Sequence, residues 1–103
     1  MLELAVVVPV FNEAKNVATM VARLDQVLSG RQWEVIFVDD DSPDGTARVA
    51  RELALVDPRV RVIQRIGRRG LSTACIEGMC ATAAPIVAVM DGDLQHDETL
   101  LPR

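Results

Sequence analysis

The sequence predicts a single α/β domain built as a doubly wound, mainly parallel sheet with strand order 3-2-1-4. Two features carry that expectation. Short apolar, β-branched runs alternate with segments of helical period in the order βαβαβαβ, with short connections and no internal repeat. The run at 4–10, and the run at 34–38 after its first residue Glu34, are apolar without alternation, as strands covered on both faces are. At 103 residues the chain has room for one core.

The elements follow in order. Residues 4–10 (LAVVVPV) form the first strand. Asn12 offers a helix cap, and Val17, Met20, Val21, Leu24, Val27 and Leu28 recur at helical spacing until Ser29-Gly30 closes the helix. Residues 34–38 (EVIFV) form the second strand. Ser42-Pro43 reads as a cap with proline in the first turn, and Val49, Ala50, Leu53 and Val56 mark a second helix stopped at Asp57-Pro58. Residues 59–65 (RVRVIQR) alternate only partly and predict a strand nearer the sheet edge, with Arg59 and Arg61 on its solvent face. A Gly67–Gly70 loop, a third helix over 71–82 and a fourth strand over 86–90 complete the order.

Composition narrows the function. A net charge of −4 gives no general attraction to nucleic acid or anionic lipid, and no nucleic-acid partner is expected. Phe11, Trp33 and Phe37 are too few aromatics for a base-stacking platform. No apolar run approaches the roughly 20 residues that span a bilayer, and nothing at the N-terminus looks like a signal peptide. Cys75 and Cys80, five apart on one helix, point to different sides, so they are expected as free, small buried hydrophobes in a reducing, cytoplasmic setting.

In such a sheet ligands bind outside the carboxyl ends of the strands, where strand order reverses. The residues at those ends are 9–13, 39–41 and 91–95, so every acidic cluster falls on one rim. Asp91 and Asp93, separated only by Gly92, can turn toward one hard cation, with Gln95 as a further oxygen donor. Oxygen ligands suit Mg²⁺ or Mn²⁺, which commonly bridge to substrate phosphates. A solvated turn is the rival account of D-x-D, and the strand-end position decides against it. His96 stays unassigned, and Asp97 and Glu98 fit the first turn of a following helix. Asp39 to Thr46 can cap the second helix, Ser42 foremost, while also accepting hydrogen bonds from a ribose or base. No glycine follows the first strand, so a dinucleotide cofactor held on a glycine-rich turn is disfavoured. An aspartate-nucleophile phosphatase or a receiver domain would need its acids after the first strand, where Phe11-Asn12-Glu13 stands. Arg68-Arg69 can contact a phosphate or simply be solvated.

Four stretches, VVVPVFNEAKNV, EVIFVDDDSPDGTARVAREL, GRRGLSTACIEGM and IVAVMDGDLQH, in this order and spacing, closely resemble the amino-terminal half of family 2 glycosyltransferases. Within that family the likeness is to the dolichol-phosphate or polyprenyl-phosphate mannosyltransferases. The resemblance implies the GT-A fold and an inverting transfer of a sugar, mannose from GDP-mannose, to a lipid phosphate. It implies that Pro9, Phe11 and Glu13 grip the base and ribose, with Val38 and Asp40 continuing that pocket. It further implies that Asp91, Asp93 and Gln95 hold Mg²⁺ or Mn²⁺ against the diphosphate, with Gly92 beside the sugar nucleotide. No separate catalytic base is implied. Phe11 stands for the family's usual tyrosine and Gly70-Leu71-Ser72 for its usual Gly-Leu-Gly. No residue separates GDP from UDP, and the alternatives are a non-catalytic nucleotide-binding or interaction domain, or a UDP-sugar glycosyltransferase with another acceptor. Family members are longer, so residues 1–103 are expected to be the nucleotide-sugar half, inactive alone, of an enzyme at the cytoplasmic face of a membrane. The open edge of the fourth strand is expected to invite a homodimer.

Overall fold

The computed structural model describes residues 2–11, 14–39, 44–65, 76 and 78–90. Its elements are β1 (Leu4–Val10), α1 (Val17–Val27), β2 (Trp33–Asp39), α2 (Thr46–Val56), β3 (Val60–Gln64) and β4 (Ile86–Val89). The strands form one four-stranded sheet in the expected order β3-β2-β1-β4. All three pairings are parallel, with Leu4 opposite Trp33 and Ile86, and Val35 opposite Val60. Of the third predicted helix, residues 76 and 78–80 are helical, and the remainder lies outside the described residues apart from Ala81 and Thr82, which follow it.

Side chains of a strand alternate between faces, and the two faces carry different cores. Leu4, Val6, Val8 and Val10 join Trp33, Val35 and Phe37 under Met20, Leu24 and Leu28 of the α1 segment and Ala50 of α2. On the opposite face Val7, Ile36 and Val38 pack with Ile63, Ala81 and Val87. Both faces of β1 and β2 are therefore buried, which is why β1 and residues 35–38 of β2 read as unbroken apolar runs. Gly78 makes the close approach of the third helix possible. A Cβ there would stand 2.3 Å from Val7 Cγ1 and 3.3 Å from Val38 Cγ2.

Several local expectations shift. Helix α1 starts at Val17, with Asn16 at the N-cap position and its carbonyl accepting from Met20 N–H at 2.9 Å, four residues beyond Asn12. Asn12 itself is outside the described residues. Gly30 does close α1, at φ 85°. Helix α2 starts at Thr46 with Gly45 at the N-cap position, later than Ser42-Pro43 suggests; both of those residues are outside the described set. Cys80 is exposed, not buried as expected. Gly78 faces the sheet, and two residues further along a helix turn the side chain by about 200°, toward solvent.

Arg59 and Arg61 are also more than a solvent face. Arg59 donates to Asp25 Oδ1 at 2.6 Å and to both oxygens of Asp57, at 3.0 and 2.9 Å. Its guanidinium carbon lies 4.4 Å from the centroid of Trp33. One side chain thus ties α1, the end of α2 and the start of β2 at the amino-terminal edge of the sheet. Arg61 donates to both oxygens of Glu34 at 3.3 Å and to the Ala81 carbonyl at 2.8 Å. The Thr82 hydroxyl also donates to Glu34, so the end of the third helix is fastened to β2 and β3.

Two outcomes follow. Gly78→Ala gains about 1 kcal/mol of helix propensity. It forces a methyl against a fully buried β-branched side chain, an overpacking cost of roughly 1–3 kcal/mol. The expected net result is a lower Tm in thermal unfolding, and an unchanged or higher Tm refutes the close packing. The Arg59 hydrogen bonds, foremost, hold the Asp57 carboxyl below the usual carboxylate range, with partial burial opposing them. Because the folded-state value is the lower one, this stability is complete above the unfolded carboxylate pKa and fades as pH falls through the folded value. Asp57→Asn should therefore lower Tm at about pH 6 by the equivalent of roughly 1 kcal/mol or less. The difference from wild type should close at about pH 2.

Candidate functional site

Parallel pairing places every strand's carboxyl end on one edge. Val10 pairs with Asp39, and Asp39 with Gln64. The Arg65 N–H donates to the Asp39 carbonyl at 2.8 Å, carrying the β2–β3 bonding one residue past the ladder. The last β1–β4 pair is Val7 with Val89, and Met90 N–H still donates to the Val7 carbonyl at 2.9 Å. That bond shows Val7's backbone groups directed at β4, so by alternation Pro9's are too. Pro9 lies two residues beyond the last pair, where its missing N–H removes no ladder bond. The chain then leaves β4 beside the end of β1, directly into Asp91.

The predicted site residues separate into two groups. Pro9 is half-buried at the end of β1, and Phe11, just beyond it, is 41% exposed. Val38 is fully buried with its side chain in the core under Gly78, so its contribution to a pocket is to fix the β2 backbone. Glu13, Asp40, Asp91, Gly92, Asp93 and Gln95 lie outside the described residues. Among the described residues no group of three or more His, Cys, Asp or Glu side chains is placed to hold a metal ion. The donor set that suits a hard cation is the oxygen trio Asp91, Asp93 and Gln95, which begins one residue after Met90. Its chemistry fits Mg²⁺ or Mn²⁺.

Within the stretch from Asp39 to Thr46 that the sequence offers as a cap for the second helix, the structure shows Asp44 bonding the start of α2, while the favoured Ser42 lies outside the described residues. Asp44 Oδ2 accepts from Ala14 N–H at 3.2 Å, and Oδ1 accepts from Thr46 N–H at 3.1 Å and from the Thr46 hydroxyl. Gly45 between them sits at φ 83°, a left-handed conformation that glycine adopts without strain. The carboxylate therefore satisfies the first turn of α2 from outside the N-cap position. The Thr46 hydroxyl contributes most to holding the Asp44 carboxyl below its ordinary range; burial opposes this, and the N–H groups of Ala14, Thr46 and Asp44 add to it. The sequence signal was Asp-Gly-Thr before a helical period, an Asp reaching the backbone two residues on. Asp39 is a second buried acid here, at 0% exposure on the end of β2.

A parallel sheet whose strand order reverses at β1/β4 defines a doubly wound α/β protein. Comparison with known proteins narrows the class. The chain matches the family model "Glycosyl transferase family 2" over residues 5–103 and belongs to that family. It is 39% identical over 102 residues to dolichol-phosphate mannosyltransferase of Pyrococcus furiosus, covering 99% of this chain and 29% of that one. It is 35% identical over 105 residues to the Saccharomyces cerevisiae protein of the same name, covering 99% of this chain and 39% of the other. Among solved structures, a mannosyltransferase from Pyrobaculum calidifontis in complex with GDP-Man and Mn²⁺ superposes with TM-score 0.75 at 26% identity. That match covers 95% of this chain and 30% of the other. The sheet and its flanking helices are thus the GT-A arrangement. The chain spans about a third of the length of these relatives.

Proposed function

We propose that residues 1–103 supply the nucleotide-sugar half of an inverting glycosyltransferase that moves mannose from GDP-mannose to a lipid phosphate such as dolichyl or polyprenyl phosphate. The observation that carries this is the exit of β4 beside β1: Met90 bonds Val7 and the next residues are Asp91-Gly92-Asp93. Its relatives in Pyrococcus furiosus and Saccharomyces cerevisiae are named dolichol-phosphate mannosyltransferases, and the Pyrobaculum calidifontis structure holds GDP-Man and Mn²⁺, which favours the same donor and metal here.

The roles divide by chemistry. Phe11 presents a ring to the base, and Glu13 and Asp40 accept hydrogen bonds from base or ribose. Pro9 and Val38 fix the strand ends that carry them. Asp91, Asp93 and Gln95 hold the cation, with Gly92 leaving room beside the sugar nucleotide. When bound, the cation supplies Lewis-acid neutralisation of charge developing on the departing nucleoside diphosphate. The acceptor phosphate is already anionic, so its oxygen can attack the anomeric carbon in a single displacement without a strong base. A lipid-phosphate acceptor places the whole protein at the cytoplasmic face of a membrane.

Calorimetric titration of GDP-mannose, GDP and UDP, each with and without Mn²⁺, tests this. Binding is expected to require Mn²⁺ and to prefer the guanine nucleotides. Asp91→Asn with Asp93→Asn should weaken the Mn²⁺-dependent binding by at least roughly 100-fold, the upper end of what loss of an outer-shell partner alone costs. The circular dichroism spectrum should be unchanged. Metal-independent binding, or full affinity in the double variant, refutes the assignment.

A further inference from the structure

We propose that Asp44 is a positioning residue for the nucleotide: it closes a frame around the two chain segments that carry the base- and ribose-binding residues. This rests on the donor-site reading above. Residues 11–13 leave the sheet at Val10 and residues 40–43 leave it at Asp39, and Val10 and Asp39 are paired partners on adjacent strands. The same two segments end at Ala14 and Asp44, and there the Ala14 N–H donates to Asp44 Oδ2 at 3.2 Å. Each segment is therefore anchored at both ends to the other one, by a strand pair below and a side-chain bond above. Phe11 and Glu13 lie in the first segment and Asp40 in the second.

Capping of α2 alone does not account for this arrangement. Oδ1 serves the helix, through the Thr46 N–H and hydroxyl, whereas Oδ2 spans 30 positions of sequence to reach Ala14. The second oxygen does nothing for α2. It fixes where the β1–α1 connection stands relative to the β2–α2 connection, which is the relation a base and ribose held between them would require. Without it, nucleotide binding must order the connection itself, and ordering even one residue's backbone lowers affinity about tenfold.

The two jobs of Asp44 separate experimentally. Asp44→Ala removes both, while Thr46→Val removes only the hydroxyl bond from α2 to Asp44 Oδ1 and leaves the Ala14 bond to Oδ2 intact. In Asp44→Ala, exchange of the Ala14 amide proton should quicken and the Kd for Mn²⁺·GDP should rise about tenfold. Affinity for Mn²⁺ alone should stay within twofold, because its proposed donors Asp91, Asp93 and Gln95 belong to neither of the two segments that Asp44 joins. Thr46→Val should lower Tm yet leave the Mn²⁺·GDP Kd within twofold of wild type. An unchanged Kd in Asp44→Ala, or an equal rise in Thr46→Val, overturns the proposal while the donor site stands. A wild-type protein that takes up Mn²⁺ and no nucleotide overturns the donor-site reading and this one together.

Discussion

Everything in this fold depends on β1 being gripped in register from both sides. It pairs in parallel with β2 over its whole length and with β4 over Leu4 to Val7. Parallel pairing demands a crossover after each strand, and the crossovers bury both faces of the sheet. The same geometry delivers every strand end to one edge. Val10, Asp39, Gln64 and Met90 are there because the sheet has no other way to connect them. A polar cluster at that edge follows from topology, and β4 stops pairing three residues before β1 ends, which leaves room beside Pro9.

The two edges of the sheet have divided the work. At the amino-terminal edge, Arg59 joins Asp25, Asp57 and Trp33, while Arg61 joins Glu34 and the turn after the third helix. These contacts are half-exposed and individually modest, but they link four segments that are distant in sequence. At the carboxyl edge, among the described residues, the Asp44 carboxylate bridges two connections and the Arg51 guanidinium donates to the Gln64 side-chain oxygen.

The sequence revealed the strands most clearly where both faces are dry. LAVVVPV and VIFV have no polar position to misread, and the order 3-2-1-4 followed from alternation with helices. What it concealed were features set by orientation. Ser42-Pro43 is a strong generic helix start, yet the start is at Thr46, because a positive φ at Gly45 and a reach from Asp44 leave no mark in hydrophobic periodicity. Cys80 followed its residue type's habit of burial in the prediction, but helix phase set by Gly78 turns it outward. Arg59 was read as surface because a cation's partners, here from three segments, cannot be seen from its neighbours in sequence. The sequence offers the site as an expected rim of acids after particular strands, most of which lie outside the described residues, and the bond from Ala14 to Asp44 that ties two connections left no mark in it.

The central claim is that the metal and nucleotide meet at the β1/β4 end of the carboxyl edge. Substoichiometric Mn²⁺ added to the ¹⁵N-labelled protein measures this most directly, since a paramagnetic ion broadens amide signals according to distance. Signals of Val8, Val10, Phe11 and Met90 should broaden first, while those of Trp33, Arg59 and Gly30 stay sharp. Broadening centred on Asp25, Asp57 and Arg59, or spread evenly over the surface, would contradict it.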